Sequence, residues 1–282
     1  MKKIILLAFV VVASFTMNAQ ITTPAPSPFS KLEQKVGLTD VTLEYSRPSM
    51  RGREVFGNLV PFDILWRTGA NKNTIISFSD AVTINGSTLK AGSYAVFTKP
   101  GKTTWEVIFY ANTENWGTPE KWDESLVAAK ATVEVYSLPM SVESFTATID
   151  DLSNNGASLG LLWDKTMVNV PFSVPTEAKA SKSIEKVMNG PSANDYFAAA
   201  SYYLEADKDL KKAQEWINKA VSLNDKAYWM SRKQSLIYAK LGDNKNAIAA
   251  AKRSLAGAKE AGNADYVKMN KDSLSAWGIE VE

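Results

Sequence analysis

The apolar residues of this chain alternate with period two up to about residue 172 and recur at helical spacing beyond it. This change of period constrains the fold more than any other feature. Pro171 and Pro175 bracket it. Val41, Leu43 and Tyr45 alternate with Thr42 and Glu44, which gives a first strand one apolar and one wet face. Residues 74–79 read as a second strand, and Val82 and Ile84 run into Asn85-Gly86, a dipeptide that accepts the positive φ angles of a type I′ hairpin turn. Residues 93–98 and 104–110 flank a Lys99-Pro100-Gly101-Lys102 turn and form a second hairpin, with Trp105, Val107 and Phe109 on one face. Further strands are expected over residues 129–136, 142–149, 159–164 and 167–172, with Asn154-Asn155-Gly156 and Asp164-Lys165 as turns. This pattern predicts an all-β sandwich or barrel-like domain over residues 30–172, and periodicity does not choose between the two.

Residues 173–191 serve as a linker or first helix, and residues 192–282 form an all-α module. Residues 213–221 align with residues 247–255 at an offset of 34. Ala213 and Ala247 open equivalent helices, Ser201 and Ser235 occupy equivalent small positions, Tyr238 supplies an aromatic one, and Leu241-Gly242-Asp243 supplies a turn. The module resembles tetratricopeptide repeats, two degenerate units over residues 192–258 followed by a capping helix to residue 277. The first unit departs from the pattern with Leu204 and an Asp207-Lys208-Asp209 turn. An unrelated pair of helical hairpins is the alternative.

At the N-terminus, Lys2 and Lys3 precede a nearly unbroken apolar run over residues 4–15, and Met17-Asn18-Ala19 places a small residue before Gln20. That is the layout of a cleavable signal peptide over residues 1–19, too short for a permanent membrane anchor. An exported, soluble protein, periplasmic or secreted, is therefore expected, with no transmembrane anchor in the mature chain. Pro24, Pro26 and Pro28 alternate through a leader over residues 20–29, which favours an extended tether. Losing two lysines leaves 30 basic against 30 acidic residues, since the whole chain holds 32 and 30. Balanced charge argues against a nucleic-acid partner.

The 282 residues include no cysteine and no histidine. Disulfides, Ser-His-Asp and Cys-His catalysis, ordinary zinc sites and histidine-ligated haem are excluded together. No glycine-rich nucleotide loop is present, and no cofactor or metal is implied. Asp150, Asp151, Ser153, Asn154 and Asn155 are rich in oxygen ligands but lack the spacing of a calcium loop, and a solvated turn is their simpler reading. Glu54, Asp63, Asp123 and Glu124 are the carboxylates available for glycosidic chemistry, with Trp116 and Trp122 nearby to stack on a sugar ring or to cap the core.

The densest stretch runs from Tyr45-Ser46-Arg47-Pro48 through Gly52-Arg53 and Phe56-Gly57 to Trp66-Arg67-Thr68-Gly69-Ala70-Asn71. With Ala91-Gly92-Ser93-Tyr94 and Trp105, it resembles the domain-of-unknown-function family numbered 2911 over residues 27–172. The resemblance implies an exported bacterial protein and no reaction. Where that family usually has an acidic residue after the asparagine, this chain has Lys72.

Arg47, Arg53, Trp66, Arg67, Thr68 and Asn71 are the candidate ligand-binding residues. The arginines are forks for a carboxylate or phosphate, or they pair with Glu44, Glu54 or Asp63 and pin the loop. The expected activity is a non-enzymatic binding protein whose helical repeats dock a protein partner. The alternative is a β domain that binds a small anionic or sugar ligand and hydrolyses it through carboxylates. Catalytic residues are not assigned. The signal reading is checked by intact mass of the exported protein, which should begin at Gln20.

Overall fold

The computed structural model describes residues 23–188 and 190–280, so the expected signal peptide and its Ala19/Gln20 boundary lie outside the described residues. The strands are β1 (Phe29–Val36), β2 (Thr39–Ser46), β3 (Thr74–Phe78), β4 (Val82–Ile84), β5 (Ser87–Leu89), β6 (Gly92–Pro100), β7 (Thr104–Tyr110), β8 (Val127–Glu134), β9 (Tyr136–Asp150) and β10 (Gly156–Ser173). The helices α1 (Thr176–Val187), α2 (Ala193–Glu205), α3 (Leu210–Leu223), α4 (Tyr228–Lys240), α5 (Asn244–Glu260) and α6 (Ala264–Ala276) follow. A β domain is thus succeeded by an all-α module, as the change of period predicts.

Two antiparallel sheets form the β domain, one of six strands ordered β1-β2-β3-β6-β7-β8 and one of four ordered β5-β4-β10-β9. Their facing sides share one core, with Leu43, Ile76, Val96, Trp105 and Val107 from the first sheet against Phe145, Leu159, Leu161, Trp163 and Val170 from the second. The arrangement is a sandwich. Each such fully buried side chain contributes on the order of 1.5–3 kcal/mol, so the absence of disulfides leaves no deficit to explain. Asn85 and Gly86 carry φ of 47° and 76° between β4 and β5, the turn their dipeptide predicts.

Three features differ from the expectation. β1 is not among the expected strands, although residues 30–36 fall within the expected β domain, because its sequence FSKLEQKV is charged and lacks an apolar face. It is an edge strand hydrogen-bonded to β2 along its whole length, and charge on an edge protects against pairing with other chains. The two strands expected around Asp164-Lys165 are one 18-residue strand, β10. Asp164, at φ 50°, marks shifts in its register with β9 instead of a turn. Residues 94–98 of β6 are buried without alternation, because the outer face of β6 and β7 is also covered. Leu65, Trp122, Leu126 and Val127 cap Ala95, Phe97, Ile108 and Tyr110 there.

In the α module, α3 and α5 begin 34 positions apart, and Ala213 and Ala247 are both fully buried at equivalent places, as are Ile217 and Ala251. Side-chain caps start the helices: Ser192 and Asp195 make a capping box at α2, and Asp209, Asp243 and Asn263 accept amide protons at α3, α5 and α6. α1 joins the two parts. Thr176 Oγ1 accepts the Leu38 amide at 3.3 Å, and Lys179 Nζ donates to Leu38 O at 2.8 Å and to Asp80 at 2.7 Å.

Two outcomes test this junction. Gly37 has φ 56°, and a Cβ there would overlap Thr176 Oγ1 and the Asn154 carbonyl oxygen. Gly37→Ala should therefore lower stability by about 2–4 kcal/mol in urea unfolding. The Lys179 ammonium, followed by the Thr39 and Ser79 hydroxyls, holds the Asp80 carboxyl below its ordinary value against the opposing effect of burial. A depressed folded-state value stabilises above the unfolded value of about 3.9 and is lost as pH falls through the lower one. The stability gap between wild type and Lys179→Met should be widest near neutral pH and shrink below about pH 4.

Candidate functional site

Between β2 and β3 the chain runs irregularly from Arg47 to Asn73, and the sandwich fixes it at three places. Pro48 O accepts the Phe145 amide at 2.8 Å, Met50 N donates to Glu143 O at 2.9 Å, and Trp66 exchanges backbone bonds of 2.7 and 2.9 Å with Thr98. Phe56 and Trp66 insert among the core aromatics. Their rings lie 4.9 and 6.3 Å from Trp105, and Trp66 stacks on Trp163 at 5.9 Å. So anchored, the loop sustains unfavourable backbone. Arg51, Asp63, Thr68 and Asn71 have φ between 48° and 61°, half of the eight non-glycine residues in that region among the described residues. At Thr68 a β-branched side chain makes this a true outlier, held by Thr98 Oγ1 at 3.1 Å and by the Thr74 hydroxyl on its carbonyl.

The loop and the leader enclose a cleft of about 330 Å³. Arg51, Arg53 and Arg67 line it, Trp66 and Trp163 form its floor, and Pro26, Pro48 and Leu59 contribute apolar walls. Arg53 donates from Nε to Met50 O and from Nη2 to Ser49 O, at 2.9 and 2.7 Å. Arg51 Nη2 donates to Pro26 O at 2.9 Å, and Arg67 Nη1 to Asn71 O at 3.3 Å. The alternative pairing of Arg47, Arg53 and Arg67 with Glu44, Glu54 or Asp63 does not form among the described residues. Among the described residues every salt bridge is made by a lysine. Glu143 reaches the loop, but its Oε1 accepts the Arg51 backbone amide at 2.9 Å and leaves the guanidinium unpaired.

Of the candidate residues, Arg53, Trp66 and Arg67 meet at this cleft, while Arg47, Thr68 and Asn71 do other work. Arg47 crosses to β9, with Nε on Phe145 O at 3.1 Å and Nη2 on Thr146 Oγ1 at 2.8 Å. Thr68 is fully buried. Asn71 Nδ2 donates to Ser27 O and Ser46 Oγ, both at 3.2 Å, and so ties down the leader. Lys72 faces Glu114 at 3.5 Å. Arg51 was absent from the candidate set. Its two-residue spacing from Arg53 was the available signal, but only its positive φ and the folded leader bring it to the cleft.

The four candidate carboxylates do not gather there. Neither Glu54, Asp63, Asp123 nor Glu124 lines the cleft. The Ser125 hydroxyl and amide hold Asp123 below its ordinary range, and Lys130 and the Trp122 indole do the same for Glu124. A general acid needs the opposite shift. Trp122 stacks on Tyr110 at 4.5 Å and packs the outer core, whereas Trp116 is 77% exposed. Residues 151–155 form the turn between β9 and β10, with the Ser153 hydroxyl donating to Gly156 O.

A second cleft, about 340 Å³, lies between α1, α2 and the β1–β2 turn. It is lined by Leu38, Ile184, Val187 and Tyr202, and its two carboxylates, Asp195 and Glu205, are already bonded to Ser192 and Lys233. Of these two clefts, the arginine cleft is the one lined by charged groups without a partner of opposite charge among the described residues.

No curated protein and no solved structure matches the chain. A family model described as a protein of unknown function, DUF2911, matches residues 27–172, which are the β domain and the whole of the arginine loop, and the chain belongs to that family.

Proposed function

We propose that this is an exported binding protein whose β domain captures a small anion, a carboxylate or a phosphate, in the arginine cleft. The observation that carries the reading is that three guanidinium groups line one cleft and none has a carboxylate partner among the described residues. Backbone carbonyls orient each guanidinium and leave N–H groups over, Nη1 on Arg53 and Nε with one Nη on Arg51 and Arg67. Donors fixed before the ligand arrives lose little freedom on binding, and guanidinium forks match carboxylate and phosphate oxygens in pairs. Binding is favoured over hydrolysis because no acidic residue lines the cleft. Export rests on the basic and apolar start of the sequence. No helix among the described residues is long and apolar enough to cross a membrane.

Acetate and inorganic phosphate should each raise the melting midpoint of the full chain, by the equivalent of about 2.7 kcal/mol at a hundredfold excess over Kd. Arg51→Ala and Arg67→Ala should each weaken the anion about tenfold or more in calorimetric titration. No response to either anion, or one that survives both substitutions, would overturn the reading.

A second reading, a tetratricopeptide-like module that docks a partner protein, is favoured by the 34-residue offset between equivalent buried residues of α3 and α5. Trp229, 37% exposed on α4, is a contact residue of the kind such docking uses. Full-length Trp229→Ala should lose partners that the wild type cross-links in an envelope fraction, and equal capture by the two counts against docking.

A further inference from the structure

The cleft is larger than a bare anion requires, and part of its lining is apolar. Its volume of about 330 Å³ falls in the range of small-molecule sites, whereas one water takes up only about 30 Å³. Polar atoms make up the greater part of its lining, with Ser27 and Ser49 beside the three arginines, and the rest is apolar. Leu59 is 38% exposed, Trp66 is half-buried, and Pro26 and Pro48 form part of the lining. Arg51 holds Pro26 in place through its carbonyl, Asn71 holds Ser27, and the Arg47 amide donates to Pro28 O at 2.9 Å. Three successive carbonyls of the leader are thus clamped, and its proline wall is as fixed as the floor.

Resting on the proposed anion site, we infer that the natural ligand is a ring-bearing organic acid. Its anionic group meets Arg51, Arg53 and Arg67, and a ring of apolar face fills the space bounded by Leu59, Pro26, Pro48 and Trp66. Acetate or phosphate reaches the guanidinium groups but leaves these carbon surfaces facing water, whereas a ring removes them from it. A rigid ring also loses less freedom than a flexible chain of equal size. The apolar face is shared by aromatic, alicyclic and sugar rings, so the test spans all three.

The experiment is calorimetric titration of the full chain with acetate, hexanoate, benzoate, cyclohexanecarboxylate and glucuronate, with tryptophan fluorescence recorded in parallel. At least one ring acid should bind about tenfold tighter than acetate and tighter than hexanoate, and it should perturb the emission through Trp66. Leu59→Gln should narrow the ratio between that acid and acetate. Equal affinity for ring acids and acetate overturns the inference but leaves the anion site standing. A preference for hexanoate makes the occupant an acyl chain and overturns it too. If none of these acids binds, the inference falls, and the anion site falls with it when phosphate also fails to bind.

Discussion

Phe56 and Trp66, two loop residues, are packed into the aromatic core of the sandwich against Trp105, Phe145 and Trp163, and the cleft depends on that contact. Aromatic side chains bury more surface than any other class, and edge-to-face pairs add to it. Two such anchors hold the segment from Arg47 to Asn73, which forms no helix and no strand. They also outweigh the local strain at Arg51, Thr68 and Asn71, residues that would leave positive φ if the loop were free. From these positions Arg51 reaches Pro26 and Asn71 reaches Ser27.

The arginines then do two different things. Arg47 uses its guanidinium to staple the loop to β9 through a carbonyl and a hydroxyl of that strand. Arg51, Arg53 and Arg67 are positioned by backbone carbonyls, which orient a guanidinium without neutralising it. Carboxylates in their place would have closed the cleft to any anion. The proposed site follows from this choice of partner, and the same choice separates a binding surface from a structural ion pair.

Much of the fold was legible because it is local. The turn at Asn85-Gly86, the shared face of Trp105, Val107 and Phe109, and the offset between Ala213 and Ala247 follow from short-range backbone and packing rules. β1 was not legible because an edge strand has no need of an apolar pattern, and Asp164 looked like a turn because bulges and turns draw on the same residues. The site was half legible. A run holding Arg53, Trp66 and Arg67 stands out in the sequence, but the partners of an arginine depend on which chain segment folds over it, and here that is a leader more than twenty residues away.

The sequence by itself determined the two-part architecture, since hydrophobic period is a property of consecutive residues. It also excluded thiol and imidazole chemistry, since those atoms are absent from the chain. Only the tertiary structure decided that Arg51 belongs with Arg53 and Arg67, that Arg47 and Thr68 do not, and that Glu54, Asp63, Asp123 and Glu124 stay apart from them. The physical reason is that a guanidinium or a carboxylate acquires its role from its neighbours, and those neighbours come from strands and loops distant in the chain.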